Sequence, residues 1–368
     1  MESMVNSFWQ GKKVLVTGHT GFKGSWLSLW LLNLGAQVKG LSLEPNTNPS
    51  LFEQLNLAQE LDHVIGDIRD LELIQATVTS WQPDLIFHLA AQPLVRLSYT
   101  ESVETWNTNV MGTIHILESL KTLSNPCALV SITTDKCYEN REWVYGYREN
   151  DPLGGHDPYS SSKAGAELAI SSWRSSFFNK SDNPIAIASA RAGNVIGGGD
   201  WAQDRILPDA MRSLTKAESI PVRNPRSTRP WQHVLEPLSG YLTLAERIYQ
   251  TLGSNEPQQL QSAFNFGPAL DSNRTVKELV EAILEHWSGS WIDCSDPNAP
   301  HEAKLLNLIT DKAFHLLNWQ PVWNFSQTVE KTVNWYKQAS TIADKDHSAF
   351  RQLTLEQIDQ YQEQKINN

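Results

Sequence analysis

A tyrosine and a lysine stand four residues apart, Tyr159 and Lys163, in the stretch 154–163 that reads Gly-Gly-His-Asp-Pro-Tyr-Ser-Ser-Ser-Lys. The stretch reads as the start of a helix, where one turn puts both side chains on one face. An ammonium held near a phenol favours the phenolate and lowers the tyrosine pKa from its reference of about 10. Tyr159 is therefore a candidate base at neutral pH. Such pairs are ordinary on helix surfaces, so the elements around this one decide what it means.

The first of those elements is the β-branched run 13–17, followed by Gly18-His19-Thr20-Gly21-Phe22-Lys23-Gly24 and an amphipathic helix to about residue 34. Strand, glycine turn and helix form the arrangement that cradles a pyrophosphate. Gly18 permits the tight turn, Gly21 lets backbone amides approach the phosphates, and Gly24 lets the helix pack close to the strand. The spacing is Gly-x-x-Gly-x-x-Gly, a departure from Gly-x-Gly-x-x-Gly. A second strand, 37–43, ends at Glu44, about 20 residues past the loop, where an acid grips a ribose diol or simply faces solvent. No arginine follows closely to receive a 2′-phosphate, which favours NAD over NADP.

A third strand, 64–67, ends in Asp67, which can accept from an adenine amino group. A fourth, 85–92, runs into Ala90 and Ala91, small enough for a cofactor to lie against the backbone; His88 within it reads as a packed residue. The segment 107–113 belongs to a helical stretch reaching about residue 123. A fifth strand, 128–133, delivers Thr134, Asp135 and Lys136 to its C-terminal end, where open α/β sheets bind ligands. A helix over 159–178 and a sixth strand, 185–191, complete the alternation. The pattern predicts an α/β fold: a Rossmann-type doubly wound parallel sheet with a smaller, interleaved C-terminal substrate domain. We divide the chain into 1–192 for the NAD-binding domain, 193–340 for the substrate domain and 341–368 as a polar peripheral tail.

In the second half, Arg205, Arg223, Arg226 and Arg229 cluster with prolines and Trp231 after a glycine loop at 197–199. A diphosphate suits the forked donors of arginine. Arg229 is read as functional, Arg223 and Arg226 as solvated. Trp201 and Trp231 either stack on a ligand or pack in the core. The run 264–267 reads as a strand end, Thr275 to Glu278 as a capping box opening a helix to about residue 287, and 305–317 and 325–337 as helices.

The 368 residues carry a net charge of -11 with no basic block, which argues against nucleic acid or an anionic membrane as partner. Three cysteines at wide spacing argue against a disulfide framework and for a reducing compartment, and no zinc-type spacing is present, so no metal is expected. Residues 1–10 lack the pattern of a signal peptide. The apolar run 26–34 is broken by Ser28 and Asn33 and is too short to span a bilayer. The cytoplasm is the expected compartment.

The glycine loop, Asp67-Ile68, His88-Leu89-Ala90-Ala91 and Tyr159-x-x-x-Lys163 together resemble the extended short-chain dehydrogenase/reductases, over about residues 11–335. Within that family, Thr134-Asp135 followed by a third polar residue resembles the nucleotide-sugar 4,6-dehydratases. Most of those carry Thr-Asp-Glu, whereas Lys136 stands here. That departure, with 137–140, 91–96 and 192–201, resembles the branch whose substrate is CDP-glucose. The resemblance implies NAD as cofactor, CDP-glucose as small-molecule substrate, a homodimer, and a place in the deoxysugar synthesis that feeds polysaccharides.

It implies cofactor contacts from Gly18, Thr20, Gly21, Phe22, Lys23, Gly24, Glu44, Asp67, Ile68, Leu89, Ala90, Ala91, Gln92, Asn109, Tyr159 and Lys163. It implies substrate contacts from Gln92, Thr134 and Asn194, with Arg229 on the diphosphate and Arg205 and Leu207 at the nucleotide end. Tyr159 would take the C4 hydroxyl proton, Lys163 would hold the phenolate, and Thr134 would bind the C4 oxygen. Asp135 is the candidate acid for loss of the C6 hydroxyl and Lys136 the candidate base at C5, although the two would titrate as a coupled pair and could share the roles. Two rivals remain: an epimerase or reductase of the same family, and a nucleotide-binding protein without chemistry.

Overall fold

The computed structural model describes residues 8–179, 183–253, 258–296 and 305–367. Most of the 1–10 stretch read for a targeting signal, and Asn368 of the tail, lie outside the described residues.

Seven strands form one parallel sheet: β1 (Lys13–Thr17), β2 (Gln37–Ser42), β3 (Asp62–Ile65), β4 (Leu85–His88), β5 (Cys127–Ile132), β6 (Ile185–Ala192) and β7 (Ala263–Phe266), in the order β7-β6-β5-β4-β1-β2-β3. The direction of winding reverses between β1 and β4, which opens a crevice beyond their C-terminal ends. The strands β4 to β6 are buried along their whole length, so both faces must be covered. Alternation along the strands divides the core in two. Val14, Val16, Phe87 and Val130 face one side; Leu15, Ile86 and Leu129 face the other.

The helices follow the same division. On the first side lie α1 (Phe22–Asn33) with Trp26 and Trp30, and, later in the chain, further helices. On the second lie α2 (Leu71–Trp81), α3 (Gly112–Ser119) and α4 (Pro158–Phe177), through Ile74, Ile116 and Ile170. The chain then adds α5 (Ile206–Thr215), α6 (Leu235–Gln250), α7 (Val276–His286), α8 (Phe325–Ala339) and α9 (His347–Asn367). The capping box at Thr275 and Glu278 forms as the sequence indicates. Seven of the tryptophans, Trp9, Trp26, Trp30, Trp231, Trp319, Trp323 and Trp335, are buried in the first core, which accounts for much of their abundance.

Three expectations need correction. The run around 264 is a full strand at the edge of the main sheet, so the NAD-binding half draws β7 from beyond residue 192. Residues 305–310 are not helical. Leu308 instead forms a β-bridge with Tyr147, and the helix there is Asp311–Leu317. The tail is not peripheral: α9 buries Phe350, Leu353, Ile358 and Tyr361, and the Tyr361 ring meets Trp30 edge-on at 6.0 Å. Its apolar residues are spaced among many glutamines, which hid the buried face.

Candidate active site

One cleft of ≈ 1130 Å³ runs from the glycine loop across the ends of β1, β4 and β5 to the arginine cluster. Gly18, at φ +73, begins it; a Cβ there would stand 2.7 Å from the Ala90 amide nitrogen. A Cβ on Gly24 would stand 2.1 Å from the Gly18 carbonyl, so α1 starts hard against the turn. Gly21 is different. Its φ is -79, and a Cβ would meet only the Gly18 oxygen at 3.4 Å. The surrounding protein leaves room for a side chain there, and the glycine keeps the backbone open to the cleft. The first amides of α1 have no side-chain cap and face the cleft, as an anion at a helix start needs. Thr20 ties this loop to the end of β2, through Ser42 at 2.8 Å and the Leu43 carbonyl at 2.9 Å.

Glu44 is exposed on the cleft wall, two residues past β2. Asp67 lies just beyond β3. Its carboxylate accepts from the Arg69 amide at 2.9 Å and Nη2 at 2.6 Å, and that guanidinium lowers its pKa. Arg69 went unremarked in the sequence; it orients Asp67. Ile68 is buried, while Leu89, Ala90 and Ala91 line the floor. Phe22 and Lys23 line the opposite side. Lys23 is pulled to about 7 by burial and by the neighbouring cations Arg205 and Lys163.

Gln92 and Asn109, expected to touch ligand, turn their side chains inward. Gln92 donates to the Leu94 carbonyl at 3.0 Å and to Thr105 at 2.9 Å. Asn109, 1% exposed in a π-helical turn, accepts from the Gln92 amide through Oδ1, and through Nδ2 donates to the Gln92 carbonyl and, at 2.9 Å, to Ser162. They brace the β4 loop against α4.

Helix α4 starts where the sequence indicates. Asp157 caps it by accepting from the Ser160 amide at 2.9 Å, and Pro158 occupies the first turn. Tyr159 and Lys163 are 7% and 6% exposed. The lowering of the phenol expected from Lys163 is not among the leading influences on Tyr159. Burial pushes Tyr159 up to about 12, a hydrogen bond with Thr134 pulls the other way, and the Asp135 charge raises it again. Burial also draws Lys163 down to about 8.

Facing them, Thr134 donates to Asp135 Oδ1 at 3.0 Å and accepts from the Lys136 amide at 3.3 Å. Asp135 is 2% exposed, and burial raises its pKa against the pull of Lys136, Thr134 and Arg229. Its Oδ2 has no hydrogen-bond partner among the described residues. Gly193 makes room for it: a Cβ there would lie 2.7 Å from that oxygen. Lys136 is half-buried on the cleft wall. The site thus joins a buried phenol, a buried carboxyl favouring its protonated form, and two lysines. It can take one proton and give another without water.

The far end of the cleft is cationic. Arg205 is held charged by Asp200, 2.9 Å away, and Arg229 is buried on the short strand Thr228–Pro230. Asn194 lines the wall, and Leu207 is a core residue with one edge on the cleft. Arg223, read as solvated, also lines it, paired with Asp204 and Asp209. Arg96 faces the same space. Trp201 borders the cleft while donating to Gln54 at 3.1 Å; Trp231 is core. No group of three metal-ligating side chains occurs among the described residues.

A family described as GDP-mannose 4,6 dehydratase matches residues 15–332. A CDP-glucose 4,6-dehydratase of Salmonella typhimurium is 51% identical over 336 residues, 90% of this chain and 92% of that one. A dTDP-D-glucose 4,6-dehydratase of Bos taurus is 25% identical over 337 residues, 89% of each. Among solved structures, dTDP-glucose 4,6-dehydratase of Bacillus anthracis in complex with NAD superposes with a TM-score of 0.73 at 22% identity, over 93% of this chain and 100% of that one.

Proposed function

The chain belongs to the family described as GDP-mannose 4,6 dehydratase, and from that premise we propose that it is a nucleotide-sugar 4,6-dehydratase with NAD as resident cofactor. Its substrate is CDP-glucose and its products are CDP-4-dehydro-6-deoxyglucose and water. The observation that carries this reading is Asp135, a buried carboxyl with a free oxygen beside Tyr159. An epimerase or reductase needs the tyrosine but not that acid.

The crevice at Gly18, Gly21 and Gly24 fits a dinucleotide, with Glu44 for a ribose and Asp67 for adenine. Bound there, NAD would accept hydride from C4 and return it to C6. In its phenolate form Tyr159 takes the proton of the C4 hydroxyl, and Thr134 holds the C4 oxygen. The new carbonyl acidifies the C5 hydrogen, which Lys136 or a group coupled to it removes. Asp135 protonates the departing C6 hydroxyl, which leaves as water. Arg229, Arg205 and Asn194 hold the diphosphate and the nucleotide end. Raised by burial, Asp135 carries the proton this step consumes.

Incubation with CDP-glucose in heavy water, followed by NMR, tests the reading. Deuterium at C5 and a C6 methyl group are expected; an unchanged C6 hydroxyl overturns it. Competition among CDP-, UDP- and dTDP-glucose tests the base, which rests on the 51% relative.

The cytoplasm is the proposed setting, supported by the free thiols of Cys127, Cys137 and Cys294. No described helix is long and apolar enough to cross a membrane. The proposed assembly is a homodimer, supported by Val103, Trp106, Met111 and Leu168, exposed on neighbouring helices. Light scattering should give twice the chain mass, and Leu168→Glu should return the monomer.

A further inference from the structure

Glu167 lies one turn beyond Lys163 on α4, so Tyr159, Lys163 and Glu167 share a face at intervals of four. It is 4% exposed. Its Oε1 accepts from Thr133 at 2.5 Å; its Oε2 accepts from Ser189 at 2.9 Å and from Arg191 Nη2 at 2.8 Å. Arg191 is itself fixed, donating to the Tyr138 hydroxyl at 2.8 Å and the Glu149 carbonyl at 3.1 Å. A buried ion pair of this kind can often be replaced by apolar residues without loss of stability. Its charge here therefore calls for a reason beyond packing.

Two contacts supply one. Thr133 is the residue before Thr134 and Asp135, so Glu167 anchors the strand end that carries them. The groups facing Glu167 are Lys163 and Arg174 on its own helix, Arg191 on β6 and Cys137 on the turn after β5. Lys163 in turn faces Cys137, His88 of β4 and Lys23 of α1. Burial keeps the Cys137 thiol and the His88 imidazole neutral, and draws Lys23 toward neutrality. Glu167 is the anion at hand.

We propose that Glu167 is a positioning residue for this reaction: its buried carboxylate keeps Lys163 an ammonium beside Tyr159 and clamps the strand end that presents Thr134 and Asp135. The proposal deepens the dehydratase reading and rests on it for the chemistry. The Lys163 midpoint can be read in the protein without substrate.

The test uses Glu167→Gln and the double variant Glu167→Gln/Arg191→Met, which removes the ion-pair partner that the single variant leaves buried and unpaired. Titration of the purified protein by NMR with 13C-labelled lysine, the signal assigned by its loss in Lys163→Arg, gives the Lys163 midpoint. It should fall by about one pH unit in both variants. The alkaline limb of kcat with CDP-glucose should move down by the same amount, with KM little changed. An unmoved Lys163 midpoint in the folded double variant overturns the proposal, as does lost activity with an unmoved limb. If the unaltered protein does not turn over CDP-glucose, the substrate reading falls and the lysine titration alone decides the role of Glu167.

Discussion

Burial raises both Asp135 and Tyr159, and substitution should separate what each does. Asp135→Asn should leave CDP-glucose-dependent reduction of the bound nicotinamide, read by its absorbance, while formation of the 6-deoxy product falls by about 10²–10⁴-fold. Tyr159→Phe should stop both and leave nucleotide binding intact in calorimetry. Equal loss of the two activities in Asp135→Asn would place that residue in the redox step. Much at this scale was legible. Tyr159, Lys163 and the three glycines were legible as an ordered set, although each spacing alone is ordinary. Charge state was not, because burial is set by residues far along the chain. Gln92 and Asn109 show another limit: sequence gives the amide but not the direction it points. Glu167 could have been found, since four residues past Lys163 is the same helical face.

Elements decide how closely the groups approach. Gly193, directly after β6, lets that strand end pass against Asp135. Gly193→Ala should cut kcat at least about tenfold, with little change in thermal midpoint, because the added methyl strikes a side chain of the site and not the core. A drop in midpoint with normal kcat would mean that the carboxyl simply moves aside. The capping box at Thr275 holds α7, against which the strand of Arg229 is anchored by its partner Asn273–Thr275. Thr275→Ala should cost about 1 kcal/mol in urea unfolding. That box was readable because its four residues are contiguous. The place of β7 was not. A four-residue strand says nothing local about which edge it joins, and 263–266 pairs with β6, some 70 residues earlier.

At the scale of the molecule, stability should depend on pH through Glu236. This fully buried carboxyl accepts from the Val322 and Trp323 amides and from Tyr361, and burial raises it to about 7. Its folded pKa lies above the unfolded one, so the native state binds more protons between them. The contribution is complete below the unfolded value and is lost as pH rises through about 7. The thermal midpoint should fall between pH 4.5 and about 7, and Glu236→Gln should flatten that slope; an equal slope in the variant would assign it elsewhere.

The same contact has a bearing on how the chain is made. Trp30, on α1, rests against Tyr361, roughly 330 residues later, a wait on the order of 15–70 s at cellular rates of synthesis. Until α9 emerges, α1 must keep that apolar flank from sticking to other nascent chains. Folding of the nucleotide-binding half is therefore not vectorial: α9 closes over α1, a helix made long before it.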